Sequence, residues 1–245
     1  MNGVLAVRRD LSRQNNNLRG QPSVHKALNP TSSAAFTYSE RARGKRARAQ
    51  ENEQLPFAPP ERCYEPHERG GPYRTVVVPP SEGFKHVVTI AEVRARLAQL
   101  PSDFLRPLEV VHLAQMTRKK RSSPCYGMQW GATIYLYPIE DDLVEHYTRP
   151  PRPSQLVEAR MYGGKWAQES ADSWTLTWTE ETIRDFYLNN ILIHELGHLL
   201  DLRNSRTIDR ERYAEWFAIQ YGYRPTRQQR AAAHQAAAER EQAAG

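Results

Sequence analysis

Cysteine is nearly absent from this chain. Cys63 and Cys125 are the only two among 245 residues, and they lie far apart without the close spacing of a zinc ribbon. No disulfide framework is expected, and a reducing compartment is the simpler setting. Long apolar runs are missing as well. No stretch approaches the 18 residues that a membrane helix needs, and the N-terminus MNGVLAVRRDLSRQ has no hydrophobic segment of signal-peptide length. These absences predict a cytoplasmic protein without a membrane partner. Also missing is any charge excess in the larger part of the chain. Residues 81–245 hold 21 Lys and Arg against 21 Asp and Glu, whereas residues 1–80 hold 13 against 7. The basic character therefore belongs to a tail and not to a folded domain.

Residues 1–72 lack both helical and strand periodicity and are broken by proline and glycine, so a disordered, basic, proline-rich tail is expected there. Within it Arg41, Arg43, Lys45, Arg46 and Arg48 cluster, and clustered cations displace counterions from phosphates. A weak nucleic-acid contact through residues 41–48 follows as one expectation, and a solvated tail as the plainer one. No aromatic residues interleave with these arginines, so base stacking has no support.

What is present begins near YRTVVVPP. VTIAEVRARLAQLP places Ile90, Val93, Leu97 and Leu100 at helical spacing, and Pro101 ends the helix. Strands are predicted at 108–114, 128–139 and 173–178, the last from the alternation of Trp174, Leu176 and Trp178 with threonines. YTRPPRPS between them reads as a connector. Thr179 is a good N-cap with Glu180 and Glu181 in the first turn, opening a helix to about Leu202. A second helix from about Ile208 to Tyr221 is closed by Gly222. Residues 225–245, rich in alanine, arginine and glutamine, form a solvent-facing helix or tail. The domain proper is thus expected at 73–224, with an α+β fold.

The first of those two helices carries the chemistry. NNILIHELGHLLD is apolar except for a few groups, and His194 and His198 stand one turn apart on one face. That spacing lets two imidazoles reach one Zn²⁺, while Glu195 is placed beside the site to take a proton from a zinc-bound water. This is the H-E-x-x-H signature. Two buried histidines one turn apart without a metal would be costly to satisfy. A catalytic zinc needs a third protein ligand and one open position. Asp201 lies on the ligand face but a turn too far, which suits a group that orients an imidazole or caps the next loop. Glu211 and Glu215 in DRERYAEWFAIQYG share a helix face, and spacing does not choose between them.

HELGH, a short loop, then ERYAEWFA resembles the gluzincin branch of the zincin metallopeptidases. It is similar to the catalytic domain of anthrax lethal factor and to small antirepressor-type metallopeptidases. The resemblance covers about residues 179–223. It implies Glu211 as third ligand, with Glu215 a carboxylate behind the ligands, and one catalytic zinc. It also implies a small mixed sheet packed on the metal helix, with an edge strand pairing with an extended protein or peptide substrate, and peptide-bond hydrolysis as the activity. Lethal factor has a tyrosine shortly before its ligand glutamate, and LRNSRTIDR has none. Tyr221, Tyr223 or an upstream residue would have to fill that role. Two alternatives belong to other classes: a zinc-stabilised binding module without catalysis, and a nucleic-acid-associated protein acting through its tail.

Overall fold

In this computed structural model, residues 59–64, 73–122 and 124–244 are described. The expected arginine cluster at 41–48 lies outside them.

The chain opens with β1 (Arg74–Val77) and β2 (Phe84–Lys85), followed by α1 (Ile90–Leu97) and α2 (Ser102–Leu105). Thr89 starts α1 through a capping box with Glu92, so two orphan amides are satisfied where the apolar period begins. Then come β3 (Val110–Leu113), α3 (Arg118–Ser122), β4 (Gly127–Trp130), β5 (Thr133–Leu136) and β6 (Ile139–Glu140). The single strand expected at 128–139 is therefore a hairpin. Gly131 sits at φ 59° in the two-residue turn between β4 and β5, a conformation that a mirror-image tight turn demands at its first central position.

These elements make a four-stranded sheet in the order β1-β3-β5-β4. The first three strands run parallel, with α1 and α2 in the crossover from β1 to β3, and β4 is an antiparallel edge. Side chains alternate across it. Val111, Leu113, Ile134 and Leu136 face the main core, and Tyr135 and Met128 face a smaller cluster on the other side. Residues 59–64, assigned by sequence to the tail, lie along that second face. There Tyr64 stacks with Tyr135, and the Tyr135 hydroxyl donates to the Arg62 carbonyl at 2.6 Å.

Beyond β7 (Val144–Tyr147), the end of the expected connector starts a helix that was not expected, α4 (Pro153–Met161), opened by Pro153 at its first turn, where the missing N–H costs nothing. β8 (Lys165–Ser170) and β9 (Ser173–Thr177) complete a second, antiparallel sheet in the order β7-β9-β8. The fold is mixed α+β, with small sheets and helices.

Two rods follow. α5 (Glu180–Phe186), a π turn (Tyr187–Ile191) and α6 (Leu192–Leu200) form the first, capped by Thr179 as expected. α7 (Thr207–Ala218), a second π turn (Ile219–Tyr223) and α8 (Arg224–Ala244) form the other. The expectation that Gly222 closes a helix is corrected here, because the rod runs on through Gly222 and Pro225. In an α-helix Tyr221 O would accept the N–H of residue 225, which proline lacks. Arg96 supplies the donor instead, its guanidinium reaching Tyr221 O. The same side chain donates to Asn189 Oδ1 at 2.6 Å.

The rods touch twice through glycine. A Cβ on Gly197 would lie 3.1 Å from Ala214 Cα, and one on Gly222 would lie 1.9 Å from the Asn189 carbonyl oxygen. The Gly222 position therefore admits no side chain.

Candidate metal centre

α6 is buried almost all round. Leu192, Ile193 and Leu196 are fully inside, and so are Glu195 and His198. The histidines project from one face, their rings 4.6 Å apart and nearly perpendicular. Gly197, between them in sequence, lets α7 approach against Ala214 and Phe217. Arg210 then donates to the His198 carbonyl at 3.0 Å, tying the start of α7 to the end of α6, where a cation also suits the helix dipole.

That approach brings Glu211 to the imidazoles. One oxygen, Glu211 Oε2, lies 3.4 Å from His194 Nε2 and 3.7 Å from His198 Nε2. Neither nitrogen makes a hydrogen bond among the described residues, and both are sealed from solvent. Buried nitrogens that face a carboxylate oxygen without forming a good hydrogen bond to it are costly, unless something else sits between them. Tetrahedral ligands about 2.1 Å from a zinc ion stand about 3.4 Å from each other, which is close to the separations observed. The His194, His198 and Glu211 group can hold a metal ion, and it is the one such cluster among the described residues.

The charges around the group are coupled. Burial disfavours a charge on His194, but Glu211, and after it Glu195 and Glu158, outweigh this and hold the pKa above its ordinary value. His198 goes the other way: burial, the His194 charge and the Arg210 guanidinium all push it well down. His194 therefore holds a proton more readily than a free imidazole, a proton that a bound metal would displace, whereas His198 stays neutral with its lone pair available.

No family model, curated protein or solved structure matches this chain.

The remaining carboxylates separate by position. Glu195 is fully buried under the start of β4, where a Cβ on Gly127 would stand 3.0 Å from its Oε1. Glu215 is one turn beyond Glu211; the residue is exposed as a whole, but its carboxyl is partly covered, which raises its pKa while His194 opposes that. Asp201 turns away into the loop. Its Oδ1 accepts the amides of Arg203 at 3.3 Å and Asn204 at 3.1 Å, so it caps the turn that leads from α6 to α7. Tyr221 and Tyr223 lie on the second π turn. Tyr221 packs at a tilt against Phe217, ring centroids 4.6 Å apart, and Tyr223 packs against Tyr162.

Glu158 on α4 was not singled out by sequence. Asn190 Nδ2, one turn before His194, donates to Glu158 Oε1 at 2.5 Å. Burial raises the Glu158 pKa, and the nearby Glu215 and Glu211 raise it further against Asn190 and His194. A signal for the helix existed in Pro153 followed by good helix formers. Nothing in the sequence tied that helix to the histidines.

Proposed function

We propose that this protein is a zinc-dependent metallopeptidase of the gluzincin type. The observation that carries the reading is the convergence of His194 Nε2 and His198 Nε2 on a single oxygen of Glu211. Two imidazoles and one carboxylate are the donor set of a catalytic zinc with an open position, and a structural site is more often closed by a fourth ligand. When bound, such an ion supplies Lewis acidity, which acidifies water and polarises a carbonyl.

The chain's own residues would do the rest. Glu195, buried beside the ligands yet one residue off their face, would take the proton from the attacking water and return it to the leaving amine. Gly127 leaves room for that carboxylate. The antiparallel edge strand β4 runs past α6, so an extended peptide pairing with it would pass over the site. A sheet placed in this way supports the zincin-like reading of the fold. Glu215 would bias the electrostatics near His194 without coordinating. On this reading the reaction is peptide-bond hydrolysis and the substrate a protein or peptide.

Metal analysis beside activity tests the proposal. The wild type should bind about one zinc per chain. Glu211→Ala should lose most of it, and Glu215→Ala much less. Glu195→Gln should keep the zinc while peptide hydrolysis falls by about 10²–10⁴-fold. A Glu195→Gln protein that cleaves like the wild type would remove Glu195 from its role, and full zinc retention in Glu211→Ala would remove the assigned ligand set.

A further inference from the structure

At the far end of the first rod a cavity of about 250 Å³ opens between the end of α4, the first turn of α5 and the start of α8. Its wall stays open because of Gly163, which sits at φ 86°, and a Cβ there would meet Thr182 Cγ2 at 2.7 Å. Arginine dominates the lining. Arg227 and Arg230 both reach Asp185 Oδ2, at 3.4 and 3.0 Å, and Asp185 Oδ1 is already taken by Asn189 Nδ2 at 2.8 Å. One buried carboxylate oxygen therefore serves two guanidinium groups, which leaves much of their donor capacity unused.

The third arginine, Arg160, has no hydrogen-bond or ion-pair partner for its guanidinium among the described residues, yet it lines the same cavity. Arg227 is held in place independently, by a hydrogen bond to the Met161 carbonyl and by stacking over the Tyr223 ring at 5.0 Å. Against three cations the lining offers only Asp185 and Glu181, a surplus of one positive charge. Arg227 and Arg230 keep over a third of their side-chain surface exposed, so a ligand can reach them from solvent.

We propose that this cavity binds a phosphate group, gripped by Arg160, Arg227 and Arg230. Planar guanidinium forks arriving from different elements suit a tetrahedral anion with several acceptor oxygens, whereas the planar two-oxygen partner is already supplied by Asp185. The volume is just under the roughly 300–1,000 Å³ of sites for drug-sized ligands, which fits a free phosphate or the phosphomonoester end of a larger molecule. The site is separate from the metal group. Asp185 precedes His194 by nine residues on one rod, about 13 Å along its axis.

Thermal unfolding of the full chain at constant ionic strength tests this, with sodium phosphate, phenyl phosphate and sodium chloride as probes. The two phosphates should raise the melting temperature saturably, by about 5 °C or more at a hundred times the dissociation constant, and chloride should not. The stronger of the two phosphates identifies the source, free ion or ester. Arg160→Gln, which breaks no internal pairing, should melt like the wild type without ligand and bind phosphate at least tenfold more weakly. Chloride matching phosphate, or an Arg160→Gln protein with unchanged phosphate affinity, overturns the proposal.

Discussion

At the scale of single residues, the difference between Glu211 and Glu215 shows what a sequence can and cannot say. Both occupy one helix face, and their spacing is silent about which is nearer. The choice depends on how far α7 slides along α6, and that is set by the contact of Gly197 with Ala214. His194, His198 and Glu195 were legible because their relation is local, fixed by 3.6 residues per turn. Glu158 was not, since it arrives from another element through Asn190. Gly127 is a further residue whose meaning appears only in three dimensions. A Cβ there would stand 2.6 Å from Ile191 Cγ2 and 3.0 Å from Glu195 Cγ. Gly127→Ala should therefore displace the Glu195 carboxylate, cutting kcat by tenfold or more on the peptidase reading while zinc content stays at the wild-type level. Unchanged kcat together with unchanged zinc would show that Glu195 does not depend on that space.

At the scale of elements, helices were legible from apolar period, as from Ile90, and from an N-cap, as at Thr179, although the first ends at Leu97 and not at Pro101. The prediction failed where two rules pointed the wrong way together. Gly222 followed by Pro225 reads as a helix end, yet the chain continues because Arg96, from α1, satisfies the carbonyl that proline leaves bare. The glycine serves the backbone contact with Asn189. Gly222→Ala should consequently cost about 2–3 kcal/mol, since the obstacle is main chain and cannot swing aside. In a chain of this size that is a melting temperature lower by roughly 5–10 °C. Arg96→Met should have a comparable effect, because it strips a partner from both Tyr221 O and Asn189 Oδ1. A loss below about 0.5 kcal/mol in both variants would mean that the two π turns do not depend on this junction.

At the scale of the whole molecule, the α+β class was legible from the order of strand-like and helical segments. The hairpin, the second sheet and the path of residues 59–64 were not. That segment covers a histidine on the far side of the main sheet. His112 is buried on β3 beside Tyr64, whose hydroxyl is 3.3 Å from its Nδ1. Burial, and after it the charges of Arg62 and His86, lower its pKa to about 4, with Glu61 opposing. The folded state therefore resists protonation that the unfolded chain accepts near pH 6.5. The stabilisation is complete above that value and is lost as pH falls from about 6.5 towards 4, by about 2 kcal/mol once solvent screening is allowed for. Urea unfolding at pH 7.5 and 5 should show this loss in the wild type, and a smaller one in His112→Gln. Equal pH dependence in both proteins would assign the effect to other groups.

The two glycine contacts between the rods stand eight residues apart on each of them, Gly197 with Ala214 and Asn189 with Gly222. Two fixed points determine a line, so neither rod can roll or slip against the other without main chain colliding with main chain. The gap that Glu211 spans is accordingly gauged by peptide geometry and owes little to the fit of surrounding side chains. Apolar neighbours of the site should tolerate exchange far better than either glycine does.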